Sequence, residues 1–327
     1  MTEVCFHIGL PKTGSSAIQG FLRDHADALA DCGIHYSLSP EAIADVAGVP
    51  NGNGRALLKY LDPRRRRSGF DVEEFERTGF DRHYVSNRSP ISLISSELLA
   101  GIEWPQLRRL RDRALRERPV KVIAVARNIY DHALSTWNQN VKWHAYSKSF
   151  ERFALHEYEN PQLKSIWSHA KAFGWSRLRI INYEESKQDL VRAFLETVGV
   201  APPPLWRAES LNRSLTSAEL AVQRALNRIH GQSALSKKVA ERLIAKRPTA
   251  AAARIWRPDI ARALVERFGP EFEEVARRSG MDFSWMLKCS GPAASTVPAL
   301  EYAAAALDVL PAVALALGAR LTGRGSA

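Results

Sequence analysis

Along the chain, short apolar runs alternate with longer stretches in which apolar positions recur every three or four residues. Val4-Cys5-Phe6-His7-Ile8 and Val120-Lys121-Val122-Ile123-Ala124-Val125-Ala126 have the length and apolar density of strands buried on both faces. Ile34-His35-Tyr36, Pro90 to Glu97 and Leu178 to Tyr183 read as further short strands. Between them, Ile18, Phe21, Leu22, His25, Ala28 and Leu29 form a helical stripe facing a sheet. Two more helices are predicted, one through Ile129, Tyr130, Leu134 and Trp137 with Asn128 as its cap, the other through Leu190, Val191, Phe194 and Leu195. This alternation predicts an α/β fold, a central parallel sheet flanked by helices, with ligand sites along the carboxyl edge of the strands.

The pattern changes after Pro202-Pro203-Pro204. Thr216 and Glu219 have the spacing of a capping box, and residues from about 236 to 278 read as helices with charged faces. The prediction is an α/β domain over 1–232 and a helical carboxyl-terminal region over 233–327 packed on the same domain. The apolar, alanine-rich stretch from Val297 to Ala319 is interrupted by Glu301, Asp308 and Pro311, which favours a docking helix or a peripheral amphipathic contact over a membrane span.

The loop after the first apolar run changes the picture most. Gly9-Leu10-Pro11-Lys12-Thr13-Gly14-Ser15-Ser16 lies between a predicted strand and a predicted helix, where backbone amides and the positive helix end meet an anion. The nucleotide-triphosphate loop G-x-x-x-x-G-K-[ST] puts its lysine after the second glycine; here Ser15 holds that place and Lys12 comes earlier. Taken alone, the segment also fits an ordinary turn capped by Ser15 or Ser16. A second anion site is predicted where Arg127 leaves the Val120 strand and Ser135 follows eight residues later within a helix, a donor fork and a hydroxyl suited to a terminal phosphate. Glu97, at the end of a third strand, is the best-placed general base, and equally a helix-start acid with Ser95 or Ser96 as cap. His35, Glu41, His132 and His144 compete less well.

Pro11-Lys12-Thr13-Gly14-Ser15-Ser16 resembles the 5'-phosphosulfate loop P-K-[ST]-G-[ST]-[ST] of sulfotransferases, and Arg127 with Ser135 is similar to their 3'-phosphate motif. The resemblance implies 3'-phosphoadenosine 5'-phosphosulfate (PAPS) as donor and a phosphate-loop sulfotransferase fold. It further implies Lys12 at the bridging region of the phosphosulfate, with Thr13, Ser15, Ser16 and the loop amides on the 5'-phosphate. It also points to Glu97 as base and to Tyr183, paired with Glu184, on the adenine side. Asn212-Arg213-Ser214-Leu215 resembles the closing segment of bacterial members. The likeness spans roughly residues 3–230; the late G-x-x-G-x-W-K motif of the phenol and steroid enzymes is absent, which moves the expected acceptor toward a carbohydrate or glycolipid.

Composition adjusts this reading at the margins. With 45% hydrophobic content, 327 residues are ample for a core, and a formal charge of +11 favours anionic ligands. Arg64 to Arg67 reads as a solvated loop, and the arginines from 108 to 118 as the wet face of a helix. Neither shows the aromatic interleaving of a single-strand nucleic-acid surface, so nucleic acid is disfavoured. Three cysteines without pairing spacing, and no basic leader, predict a reducing, cytoplasmic setting; no metal-ligand spacing occurs. Two rivals remain open, a kinase or NTPase with a degenerate phosphate loop, and a non-catalytic polyanion-binding protein.

Overall fold

The computed structural model describes residues 1–40, 45–46, 49–50, 52–66, 69–86, 88–201, 214–250, 252–253, 255–289 and 305–308. Seven strands occur there: β1 (Glu3–Ile8), β2 (Ile34–His35), β3 (Asp45–Val46), β4 (Val49–Pro50), β5 (Ile91–Ser96), β6 (Val120–Ala126) and β7 (Leu178–Asn182). β3 and β4 form a two-stranded antiparallel ladder, and the others a parallel sheet in the order β2-β5-β1-β6-β7. The expected α/β architecture is therefore present. The chain leaves β1 toward one side of the sheet and returns to β6 on the other, so the switch point lies between the loops after β1 and β6.

Register decides which loops meet. Ile8 stands opposite both Ser96 and Ala124, and Ala126 stands opposite Asn182. Extending each strand by one residue puts Gly9 beside Glu97, and Arg127 beside Tyr183.

Alternate residues of β1 serve different layers. Cys5 joins Ile18, Phe21, Leu22, Leu93, Ile123 and Phe194 under the helices Ser15–Asp24 and Leu190–Val198. Phe6 points the other way and stacks on Phe173, ring centroids 5.7 Å apart, on the side of helix Pro161–Phe173. Fully burying a side chain such as Phe194 contributes roughly 2–3 kcal/mol, which is what anchors the helix that follows β7.

Several element boundaries differ from expectation for local reasons. The stripe from Ile18 to Leu29 is two helices, Ser15–Asp24 and Ala26–Asp31, because His25 leaves the helical region at φ −122°. Glu97 opens a 3-10 turn, Glu97–Gly101, since the Ser96 hydroxyl accepts the Leu98 amide at 3.3 Å and ends the strand. Asn182 caps in the same way, accepting the Glu184 amide at 3.0 Å, so Tyr183 starts a helix rather than finishing β7.

The chain divides into two compact units that interleave in sequence. The first comprises 1–128, 160–211 and 268–286, and the second 129–159, 212–267 and 287–327. The second unit is helical, built on Ile129–Trp143, Phe150–His156, Ser217–His230 and Ser233–Lys246. Its interior holds an amide network in which Asn227 donates to the Val141 and Tyr146 carbonyls at 2.7 and 3.0 Å, and the Ser236 hydroxyl donates to Val141 at 2.9 Å. The predicted capping box is present: the Thr216 amide donates to Glu219 at 2.9 Å, and the Glu219 amide to the Thr216 hydroxyl at 3.2 Å. Of the apolar stretch 297–319, only 305–308 is described, where Asp308 pairs with Arg247 at 2.9 Å. Among the described residues no helix is long and apolar enough to cross a membrane.

Candidate functional site

The loop after β1 is tied from inside. The Thr13 and Ser15 hydroxyls, both buried, donate to the Leu10 carbonyl at 2.7 and 2.9 Å. Their side chains therefore brace the loop from within. Gly14 is the residue before the helix and adopts φ 84°; a Cβ there would overlap Leu190 and come within 3.3 Å of the Tyr183 ring. Neither Ser15 nor Ser16 caps this helix. Lys12, after Pro11, also has positive φ, at 64°, a conformation that costs a non-glycine residue about 1–2 kcal/mol. Such strain at a lysine, held by packing around it, marks a position where the side chain's direction is imposed.

Electrostatics bring three of the predicted residues together. Burial pulls the pKa of Lys12 below the usual lysine range, with the Glu97 carboxylate opposing and the Arg127 guanidinium adding to the shift. Burial likewise pushes Glu97 above the usual carboxylate range, against the Lys12 charge and the hydrogen bond from Ser16. The Ser16 hydroxyl donates to Glu97 Oε1 at 3.4 Å. Close approach of the two loops requires Gly9: a Cβ there would stand 3.0 Å from Glu97 Cα and Cγ.

Arg127 sits in a different environment. Its side chain donates to Glu184 Oε1 at 2.8 Å and lies over the Tyr183 ring, 5.0 Å from the centroid. Lys187 reaches the other Glu184 oxygen at 3.2 Å. The Arg127 backbone is held by buried Gln162, which accepts its amide at 2.7 Å and donates to its carbonyl at 3.1 Å. Gln162 escaped the sequence reading; Asn160-Pro161, a helix cap followed by proline, is the local signal that a helix begins there.

Ser135 is half-buried on helix Ile129–Trp143, in the second unit, whereas Lys12, Glu97, Arg127 and Tyr183 belong to the first. On the same helix, buried His132 shares a 2.8 Å hydrogen bond with the Tyr158 hydroxyl, a structural role, and His144 lies exposed just past the helix end. His35 ends β2 with its pKa lowered by burial; Glu41 lies outside the described residues, as do Asn212 and Arg213.

Much of the positive charge is engaged internally. Arg64 and Arg65 pair with Asp62 at 2.9 and 3.3 Å, and Arg66 donates to the Lys59 and Tyr60 carbonyls. Arg109 pairs with Glu76 at 2.8 Å, Arg118 with Asp81 at 2.6 Å, and Arg111 donates to the Ala172 carbonyl at 2.6 Å. Cys5, Cys32 and Cys289 form no disulfide among the described residues, and burial pushes Cys5 up to about 12, which keeps it protonated and unreactive.

A family model described as sulfotransferase domain matches residues 4–280. Among solved structures, the chain is similar to a sulfotransferase from Alicyclobacillus acidocaldarius, at 17% identity and a TM-score of 0.44, over 86% of this chain and 97% of that one. No curated protein sequence matches significantly.

Proposed function

The chain belongs to the sulfotransferase family, and from that premise we propose that it moves a sulfuryl group from PAPS to a hydroxyl or amine, on a carbohydrate or glycolipid acceptor. The observation that carries this reading is the meeting of the Lys12 loop with Glu97 where adjacent parallel strands end: Ser16 donates to Glu97 at 3.4 Å, and a Cβ on Gly9 would stand 3.0 Å from Glu97. A half-buried ammonium in the loop that leads into a helix start suits an anion whose charge grows on the bridging oxygen. Arg127, 5.0 Å above the Tyr183 ring, offers its guanidinium where a nucleotide's ribose phosphate and base would lie along the same edge.

PAPS supplies an activated S–O bond; the protein's work is to position, to accept a proton and to stabilise the leaving group. Glu97 Oε takes the acceptor proton as its oxygen or nitrogen attacks sulfur, and the raised pKa makes the carboxylate a stronger base than an exposed glutamate. Lys12 meets the charge left on the departing phosphate oxygen, an interaction stronger in the transition state than before it. The Thr13 and Ser15 hydroxyls, turned to Leu10, hold the loop's shape while its amides and Ser16 meet the 5'-phosphate. A 3'-phosphate role is likewise proposed for Ser135, from the sequence motif alone.

A kinase reading is less favoured, because Ser15 stands in the slot of the phosphate-loop lysine and its hydroxyl is committed to Leu10. Thermal shift decides between them. Adenosine 3',5'-bisphosphate should raise the melting temperature by several degrees more than adenosine 5'-phosphate at equal concentration; equal shifts would overturn the donor assignment.

A further inference from the structure

β5 is paired unevenly. On its inner side β1 runs along its whole length, from Ile91 to Ser96, while on its outer side β2 pairs only at Ile91 and Ser92. Among the described residues the outer edge from Leu93 to Ser96, immediately before Glu97, therefore has no strand partner. The turn Gly52-Asn53-Gly54 fills that place.

Asn53 is fully buried and makes three bonds to this edge. Its amide donates to the Ser95 carbonyl at 3.0 Å, its Oδ1 accepts the Ser95 amide at 2.8 Å, and its Nδ2 donates to the Leu93 carbonyl at 3.0 Å. Only a side-chain amide supplies a donor and an acceptor together at this reach; aspartate lacks the donor and serine the length. The flanking glycines make the approach possible. Gly52 has φ 76° and any Cβ on it would overlap the Ser95 carbonyl oxygen, while a Cβ on Gly54 would stand 2.8 Å from Ser96 Cβ. On the opposite edge the Gly9 amide donates to the Ser96 carbonyl at 3.2 Å, and Ser95 Oγ lies 2.7 Å from His7 Nδ1. His7 is buried and neutral, its pKa lowered to about 3, so it adds no charge beneath the site.

We propose that the Gly52-Asn53-Gly54 turn is a clamp that positions Glu97, with Asn53 as its positioning residue. It acts by holding the Ser95–Ser96 backbone from the outer side while β1 and Gly9 hold the inner side, so that the carboxylate emerges in one direction. The proposal rests on Glu97 being the base, and a strand edge closed merely for stability would not need its tightest contacts at the two residues preceding that carboxylate.

The test compares Asn53→Ala with wild type in the full chain by three readouts: the Glu97 carboxyl titration followed by 13C NMR, adenosine 3',5'-bisphosphate binding by calorimetry, and sulfate release from PAPS with water as acceptor. Release of the clamp lets water reach Glu97, so its pKa should fall by about half a unit or more toward the ordinary glutamate value. Sulfate release should fall about 10- to 100-fold, with bisphosphate affinity within about twofold. In a Glu97→Gln background, Asn53→Ala should cause no further loss. An unchanged Glu97 titration, or an equal loss of turnover in the Glu97→Gln background, would overturn the clamp. Bisphosphate binding reports separately on the donor reading, and the titration needs no turnover. Should Asn53→Ala not fold, Gly54→Ala keeps the three Asn53 bonds while pressing on Ser96; it should move the Glu97 titration and slow turnover, and failure to do so overturns the proposal equally.

Discussion

Lys12 with Glu97, and Arg127 with Glu184, are two pairs of opposite charge at the same sheet edge, yet they are built in opposite ways. Arg127 and Glu184 meet at 2.8 Å, both partly exposed, with Lys187 and the Tyr183 ring completing the arrangement. Lys12 and Glu97 sense each other's charge, but burial dominates both, weakening the ammonium and strengthening the carboxylate as a base. A balanced pair stabilises a resting geometry and exchanges partners with an incoming anion. A desolvated pair keeps its charges expensive until a reaction uses them. The first arrangement suits binding and the second suits proton and charge transfer.

Breaking the desolvated pair should have the largest effect. Lys12→Ala should lower sulfuryl transfer about 1000-fold, the scale on which a single transition-state stabilising group acts, with the circular dichroism spectrum unchanged. Retention of full activity would remove Lys12 from the chemistry. The lost rate should not return with Lys12→Arg, because the broader guanidinium cannot follow the path imposed by φ 64° in this packed loop.

Glu97→Gln should lower turnover by about 100-fold or more, and it also separates catalysis from stability. Burial raises the folded-state pKa of Glu97 above its unfolded value, so the native state holds the proton more tightly. Stability from this group declines as pH climbs from the unfolded to the folded pKa, and stays lower above it. At neutral pH the glutamine variant should therefore melt no lower than wild type, and its melting temperature should lose the dependence on pH that wild type shows across that window. The wild-type rate should rise with pH through the same raised pKa, since the base must be ionised. A rate already at its plateau at the ordinary glutamate pKa would contradict the assigned base.

The smallest effects belong to the balanced pair and have opposite signs. Arg127→Ala should weaken donor binding about 10-fold or more, as expected for loss of a charged hydrogen-bond donor, with turnover at saturation changed far less. Glu184→Gln removes a carboxylate that competes for the same guanidinium, and should tighten the donor a few-fold. Calorimetry with adenosine 3',5'-bisphosphate measures both; tighter binding in neither variant, with Arg127→Ala unaffected, would sink the proposed phosphate role.

Much of this was already legible along the chain. The Val120–Ala126 strand lies where its β-branched run predicts, because a strand buried on both faces needs apolar residues at every position, a signal that survives without context. Thr216 and Glu219 form their capping box for the same reason: both partners lie within one turn. The arginine run beginning at Arg64 was also local, resolved by Asp62 two residues away. Glu97 and Arg127 are legible as residues where strands end, and Lys12 as part of the loop after the first strand, since a change of hydrophobic period marks a strand end.

What the sequence by itself determined is what has a short-range cause: the main parallel strands, the helices that follow them and the glycine-bounded loop between the first strand and helix. What only the tertiary structure decided is what depends on strand order and register. Ile8 opposite Ser96 and Ala124 makes neighbours of residues far apart in sequence, and that proximity creates the burial that shifts Lys12 and Glu97. The commitment of Thr13 and Ser15 to Leu10, the hold of Gln162 on Arg127 and the seating of Asn53 against β5 are of the same kind. A hydroxyl or side-chain amide has no preferred partner until folding removes water from its surroundings, and which group then stands within 3 Å is a property of the assembled sheet edge.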